Sequence, residues 1–129
     1  TASAQEHRLV GSWQIIDPNS GAFVGLMTAD GSGTITVSST VSAPAAVVST
    51  AHGVWTKTGQ TYSITTRAFL YDAAGNLQFT RKVRSTARLS SDGQSYTSDV
   101  VIDVMQLDGT IIQTLTFVAD GKRMLPEPL

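Results

Sequence analysis

The chain has 129 residues, nine Lys and Arg against ten Asp and Glu, no cysteine, and a hydrophobic share of 41%, enough for one domain with a real core. The near-neutral charge gives nucleic acid or an anionic membrane nothing to hold, and no apolar run approaches the roughly 18 residues of a spanning helix. Without cysteine there is no disulfide, no thiolate metal site and no cysteine nucleophile.

The first residues, Thr1-Ala2-Ser3-Ala4-Gln5, include a small-x-small triplet of the kind that precedes signal-peptidase cleavage. They predict a secreted or periplasmic protein. A trimmed cytoplasmic chain accounts for the same residues. Residues 1–8 and 126–129 are expected to be flexible ends of a single domain spanning 1–129. Runs rich in Val, Ile, Thr, Tyr and Phe then predict about eight strands, at 9–17, 22–28, 33–39, 51–57, 61–71, 77–90, 95–107 and 110–119. A short tail strand follows at 122–125. Pro18-Asn19-Ser20-Gly21 closes the first hairpin. Asp-Gly pairs at 30–31, 92–93, 108–109 and 120–121 mark further turns, because Gly takes positive φ freely and Asp tolerates turns. Thr58-Gly59 and the 72–76 stretch mark two more, the latter a type I turn with a Gly bulge. The exception is 41–50, a long, uncharged, mostly apolar stretch. It is either a flap over one end of the fold or a segment that plugs that end or extends a strand.

Short connections predict a meander, and a long meander loses its exposed edges only by closing. The expected fold is therefore all-β, an eight-stranded antiparallel up-and-down barrel with room for one small ligand.

The turns set which side chains face inward. Closing at Asp92-Gly93 aligns Leu89, Ala87, Ser85 and Val83 with Tyr96, Ser98, Val100 and Ile102 on an apolar face. The opposite face carries Lys82, Arg84 and Arg88 against Asp99 and Asp103, a salt-bridge lattice. The next hairpin continues the inner face through Ile111, Gln113, Leu115, Phe117 and Ala119. The turn at Gly75 puts Phe69 and Tyr71 beside Leu77 and Phe79, which carries Arg67, Thr65 and Arg81 inward too. His52 and Val54 follow on the same parity. Tyr62, Ile64 and Leu70 oppose this parity, so a bulge would exchange the faces of that strand. On this register Trp55 and Tyr62 pair outside. With Ile64, Val101, Met105, Ile112 and Val118 they predict a homodimer contact.

Gly11-Ser12-Trp13 on the first strand, with Arg123 near the far end, resembles the signature of lipocalins and the wider calycin superfamily. The resemblance implies a small barrel, with Trp13 at its closed end under the guanidinium of Arg123. The pattern is also similar to uncharacterised bacterial lipocalin-like proteins carrying Ala51-His52-Gly53-Val54-Trp55.

Two arginines opposite one another repel, and buried without an acid they are costly. So Arg67 and Arg81 are either outside and solvated, or inside and facing a ligand anion. On the second alternative the ligand site is Arg67, Arg81, Phe69, Tyr71, Phe79, Val83, Ile102, Gln113, Leu115 and Phe117. The expected function is binding of a small apolar or amphipathic molecule, with an anionic end if the arginines face it. The competing reading is an enzyme that cyclises or isomerises a polyene or polyketide-like substrate, with His52, Arg67, Arg81 and Tyr71 as candidate catalytic residues. A third is a filled barrel that binds a partner on its outer surface. Two histidines, His7 and His52, cannot build a zinc site. No cofactor is implied, and no Gly-x-Ser-x-Gly, phosphate loop or His-Glu-x-x-His is present.

Overall fold

The computed structural model describes residues 8–129; Ala2-Ser3-Ala4 and His7 lie outside the described residues. The described chain forms β1 (Gly11–Ile16), β2 (Phe23–Ala29), β3 (Thr34–Ser39), β4 (Val47–Val48), β5 (Ala51–Thr58), β6 (Thr61–Tyr71), β7 (Leu77–Leu89), β8 (Ser95–Met105) and β9 (Ile111–Arg123). No helix interrupts them. Eight of these strands run in the order β6-β5-β3-β2-β1-β9-β8-β7, and β7 pairs back onto β6, so the sheet closes into an antiparallel barrel. β4 is a short addition to the end of β6.

The long apolar stretch therefore extends the sheet. Val47 and Val48 pair with Tyr71 and Leu70, and Ala45 and Val48 pack against the core. The expected tail strand is the end of β9. Asp120-Gly121 makes no turn: both residues pair with β1. Gly121 is needed there because a Cβ would stand 1.8 Å from Cε2 of Tyr96.

The two ends of the barrel differ. Leu9, Trp13, Met27, Trp55, Tyr62 and Tyr96 form the core of one end. A second cluster of Leu70, Val100, Ile102, Val104 and Ala119 lines the wall towards the other. The β7–β8 register is the expected one, with Leu89, Ala87, Ser85 and Val83 opposite Tyr96, Ser98, Val100 and Ile102. On the outer face Arg84 pairs with Asp103 at 3.3 Å and Arg88 with Asp99 at 3.1 Å.

β6 is turned the other way from expectation. Tyr71 pairs with Leu77 but Leu70 pairs with Phe79, so Gln78 is an extra residue on β7. One extra residue exchanges the faces of everything beyond it. Ile64, Thr66, Ala68 and Leu70 are buried inside, whereas Arg67 and Phe69 are exposed outside. β5 follows β6. His52 and Val54 face solvent, and Trp55 is buried, its indole N–H donating to the Asp30 carbonyl at 3.0 Å. Trp55 and Tyr62 do share a face, with ring centroids 5.8 Å apart, but it is the inner one. Trp55 pairs directly with Ile64 and Tyr62 with Lys57, and Trp55, Tyr62, Ile64 and Met105 are withdrawn from the expected dimer contact, being 7%, 2%, 6% and 6% exposed.

Candidate functional site: a cavity with a buried cation

At the closed end, Trp13 is fully buried and donates its indole N–H to the Leu9 carbonyl at 2.9 Å. Tyr96 meets it edge-on at 5.1 Å. The guanidinium carbon of Arg123 lies 4.2 Å from the Trp13 ring centroid. Arg123 also donates to the carbonyls of Gly93, Val10 and Arg8, tying two backbone segments to the plug. Burial is the main cause lowering the pKa of Arg123, and pushes that of the Tyr96 phenol up.

Above this floor lies a cavity of about 340 Å³, at the small end of ligand pockets. Its walls are mainly apolar: Ile15, Met27, Val37, Ile64, Val83, Val100, Ile102 and Phe117 line it. Thr66, Ser85, Ser98 and Tyr96 add hydroxyls. Ser98 spends its proton on the Ala119 carbonyl at 2.8 Å.

The cavity also contains Arg81. Its position on β7 opposite Val104 and Ala68 aims it into the barrel, and it is only 4% exposed. Its Nη1 donates to the Val41 carbonyl at 2.7 Å, which ties the β3–β5 connection to the wall. Its Nε is buried and has no partner among the described residues. Burial lowers the pKa of Arg81, yet arginine keeps its proton in proteins. Both ion pairs of the described residues lie on the outer face, so this cation has no carboxylate within pairing distance among them. Asp17 borders the cavity, but its oxygens accept from the Asn19 amide and the Ser20 hydroxyl within its own turn.

Of the residues expected to bind a ligand, Arg81, Val83, Ile102 and Phe117 are brought together in the lining. Phe79 packs against the neighbouring core cluster. Gln113 and Leu115 share the inner parity of β9 but stand exposed beyond the cavity. Arg67, Phe69 and Tyr71 are not in the lining. Arg67 is exposed outside beside His52 and Lys82, its Nη2 3.4 Å from the Thr80 hydroxyl. Phe69 is 51% exposed on the same face, and Tyr71 is half-buried beside Val47. The proposed catalytic set of His52, Arg67, Arg81 and Tyr71 therefore does not converge: only Arg81 enters the cavity.

Ile15, Met27, Val37, Val41, Ile64 and Thr66 are lining residues that the sequence reading left out. The alternation Trp13/Ile15, Met27/Ala29 and Ile35/Val37 was available to find most of the first group. Among the described residues no cluster of three His, Asp or Glu side chains could hold a metal. No helix is long and apolar enough to cross a membrane. No protein-family model, no curated protein and no solved structure matches the chain.

Proposed function

We propose that this barrel binds a small amphipathic anion, its apolar body in the cavity and its carboxylate on Arg81. One observation carries the reading: a buried guanidinium in an apolar cavity, with Nε unpartnered and no acid beside it. Burying such a cation uncompensated is costly, and a ligand carboxylate would remove that cost with charge-assisted hydrogen bonds. The hydroxyls of Thr66 and Ser85 share the lining and offer further polar contacts. The stack of Arg123 on Trp13 further supports a lipocalin-like binding protein, because it is the pairing that the resemblance implies for the closed end. The enzyme reading loses support, since three of its four candidate groups lie outside the cavity.

Calorimetric titration with decanoate and with 1-decanol tests this. Wild type should prefer decanoate. Arg81→Met should weaken decanoate about 30- to 150-fold, the equivalent of about 2–3 kcal/mol for hydrogen bonds to a charged group, and leave decanol nearly unchanged. The variant should melt no lower than wild type, because it removes an unpaired buried charge. Equal affinity of both proteins for decanoate would overturn the reading, as would failure of wild type to bind any member of a fatty-acid length series.

A further inference from the structure

β9 is paired on one edge along its whole length but on the other for only a few residues. β8 covers it from Ile111 to Lys122, whereas β1 pairs with Asp120–Arg123 alone. The direction of the bare groups follows from two bonds. The Arg123 amide donates to Gln94 on the β8 side, and the Met124 amide donates to Ser12 on the β1 side. Counting back by twos along the unbroken β8–β9 register, Thr114, Thr116 and Val118 aim their N–H and C=O away from β8. Among the described residues no strand or loop backbone meets them.

The side chains tell the same story. Leu115 and Phe117 lie on the concave face of the barrel, yet they are 38% and 44% exposed, because no neighbouring strand stands beside them. Natural sheets protect such edges with charge, proline or a covering segment. From Ile111 to Ala119 there is neither charge nor proline, and the bulge beside Met105 sits at the hairpin end.

We propose that a second copy of this chain pairs antiparallel along the open edge of β9, with the two-fold axis at Leu115. The run Ile112-Gln113-Thr114-Leu115-Thr116-Phe117-Val118 is close to palindromic about that residue. A two-fold interface needs such a self-complementary edge. The axis sets Thr114 opposite the partner's Thr116 as a hydrogen-bonded pair, using the bare groups just identified. It sets Ile112 level with the partner's Val118 on the outer face. Leu115 meets its own symmetry mate at a non-hydrogen-bonded site, where side chains lie closest. The uncharged edge meets no like-charge repulsion.

The bare stretch of β9 also forms part of the cavity wall. Asp17 and Asn19 border the cavity from the β1–β2 turn, and Phe117 and Val118 from β9. The second copy therefore adjoins the cavity wall as well as extending the sheet. This inference holds whether or not Arg81 binds an anion, since it is read from oligomeric state.

The absence of natural cysteine allows a register-specific test. Sedimentation of wild type at high micromolar concentration should give a dimer. Leu115→Cys should form an intermolecular disulfide under mild oxidation, because facing residues at a non-hydrogen-bonded site have Cα atoms about 4.5 Å apart, within disulfide reach. Gln113→Cys should not, since its counterpart lies four positions away along the partner strand. Thr116→Pro removes an outward N–H and leaves the β8 ladder intact; it should give a monomer with an unchanged β-sheet circular dichroism spectrum. A monomeric wild type overturns the proposal. So does a dimer in which Gln113→Cys cross-links and Leu115→Cys does not, or one that survives Thr116→Pro.

Discussion

The two ends of this barrel use different aromatic residues. Both tryptophans, Tyr62 and Tyr96 are buried at the closed end, where indole N–H groups find the carbonyls of Leu9 and Asp30. The phenylalanines belong to the other half, and Phe23, Phe69 and Phe117 are 54%, 51% and 44% exposed. A side chain with a polar handle can be locked into a dry floor by one hydrogen bond. A phenyl ring has no such lock and can be left partly exposed. The closed end thus has the hydrogen-bonded aromatic core, and the other end the exposed rings.

This contrast can be broken at the floor first. Trp13→Ala should cost about 3–5 kcal/mol, the usual loss for a large buried aromatic, read as a lower urea midpoint. A loss under about 1 kcal/mol would mean that the floor is not the stabilising end. Arg123→Met should cost about 1.5–3 kcal/mol, because it removes charged hydrogen bonds to Gly93, Val10 and Arg8 while keeping an apolar cover on Trp13. A silent substitution would assign the whole floor to Trp13.

The smallest effect concerns pH. At the closed-end turn, Asp30 accepts from the Ser32 and Thr34 hydroxyls, and these bonds lower its pKa to about 2. A pKa depressed by folding stabilises above the unfolded value and ceases to do so as pH falls through the folded one. The melting-temperature advantage of wild type over Asp30→Asn should therefore hold at pH 5 and shrink between about pH 4 and pH 2. An advantage that stays constant over that range would show that the turn does not depend on the charge. Asp108, in an open-end turn, has its pKa lowered chiefly by the Thr110 amide and supplies the matching comparison.

How far the sequence was legible also divides by region. The β7–β8 face could be read because Asp92-Gly93 closes a tight hairpin and its strands alternate cleanly, and the Trp13–Arg123 contact was expected from the resemblance carried by Gly11-Ser12-Trp13. β6 could not. It is apolar on both faces, with Tyr62, Ile64 and Leu70 on one parity and Phe69 and Tyr71 on the other. Parity then rests on whether one residue of β7 is paired, and nothing in Leu77-Gln78-Phe79 announces that Gln78 is not. The grouping of Trp55 with Tyr62 was correct while their face was wrong, because one bulge turned β5 and β6 together. Half the cationic pair was lost in the same way. Arg81, on the near side of the bulge, faces inward, and Arg67, across it, faces out.

The ladder between β1 and β9 has a consequence for how the protein is made. Trp13 emerges from the ribosome well before Arg123, the end of the strand that covers it. At about 5–20 residues per second the interval is on the order of ten seconds, far longer than a hairpin takes to form. Throughout it the nascent meander can zip from β2 to β8 and still have no seam. Closure thus waits for β9 and has the longest loop among the strand pairings to organise, which makes it the step most exposed to misassembly. A chaperone that binds unpaired strand edges would find its substrate in that window and lose it once residues 120–123 dock on β1.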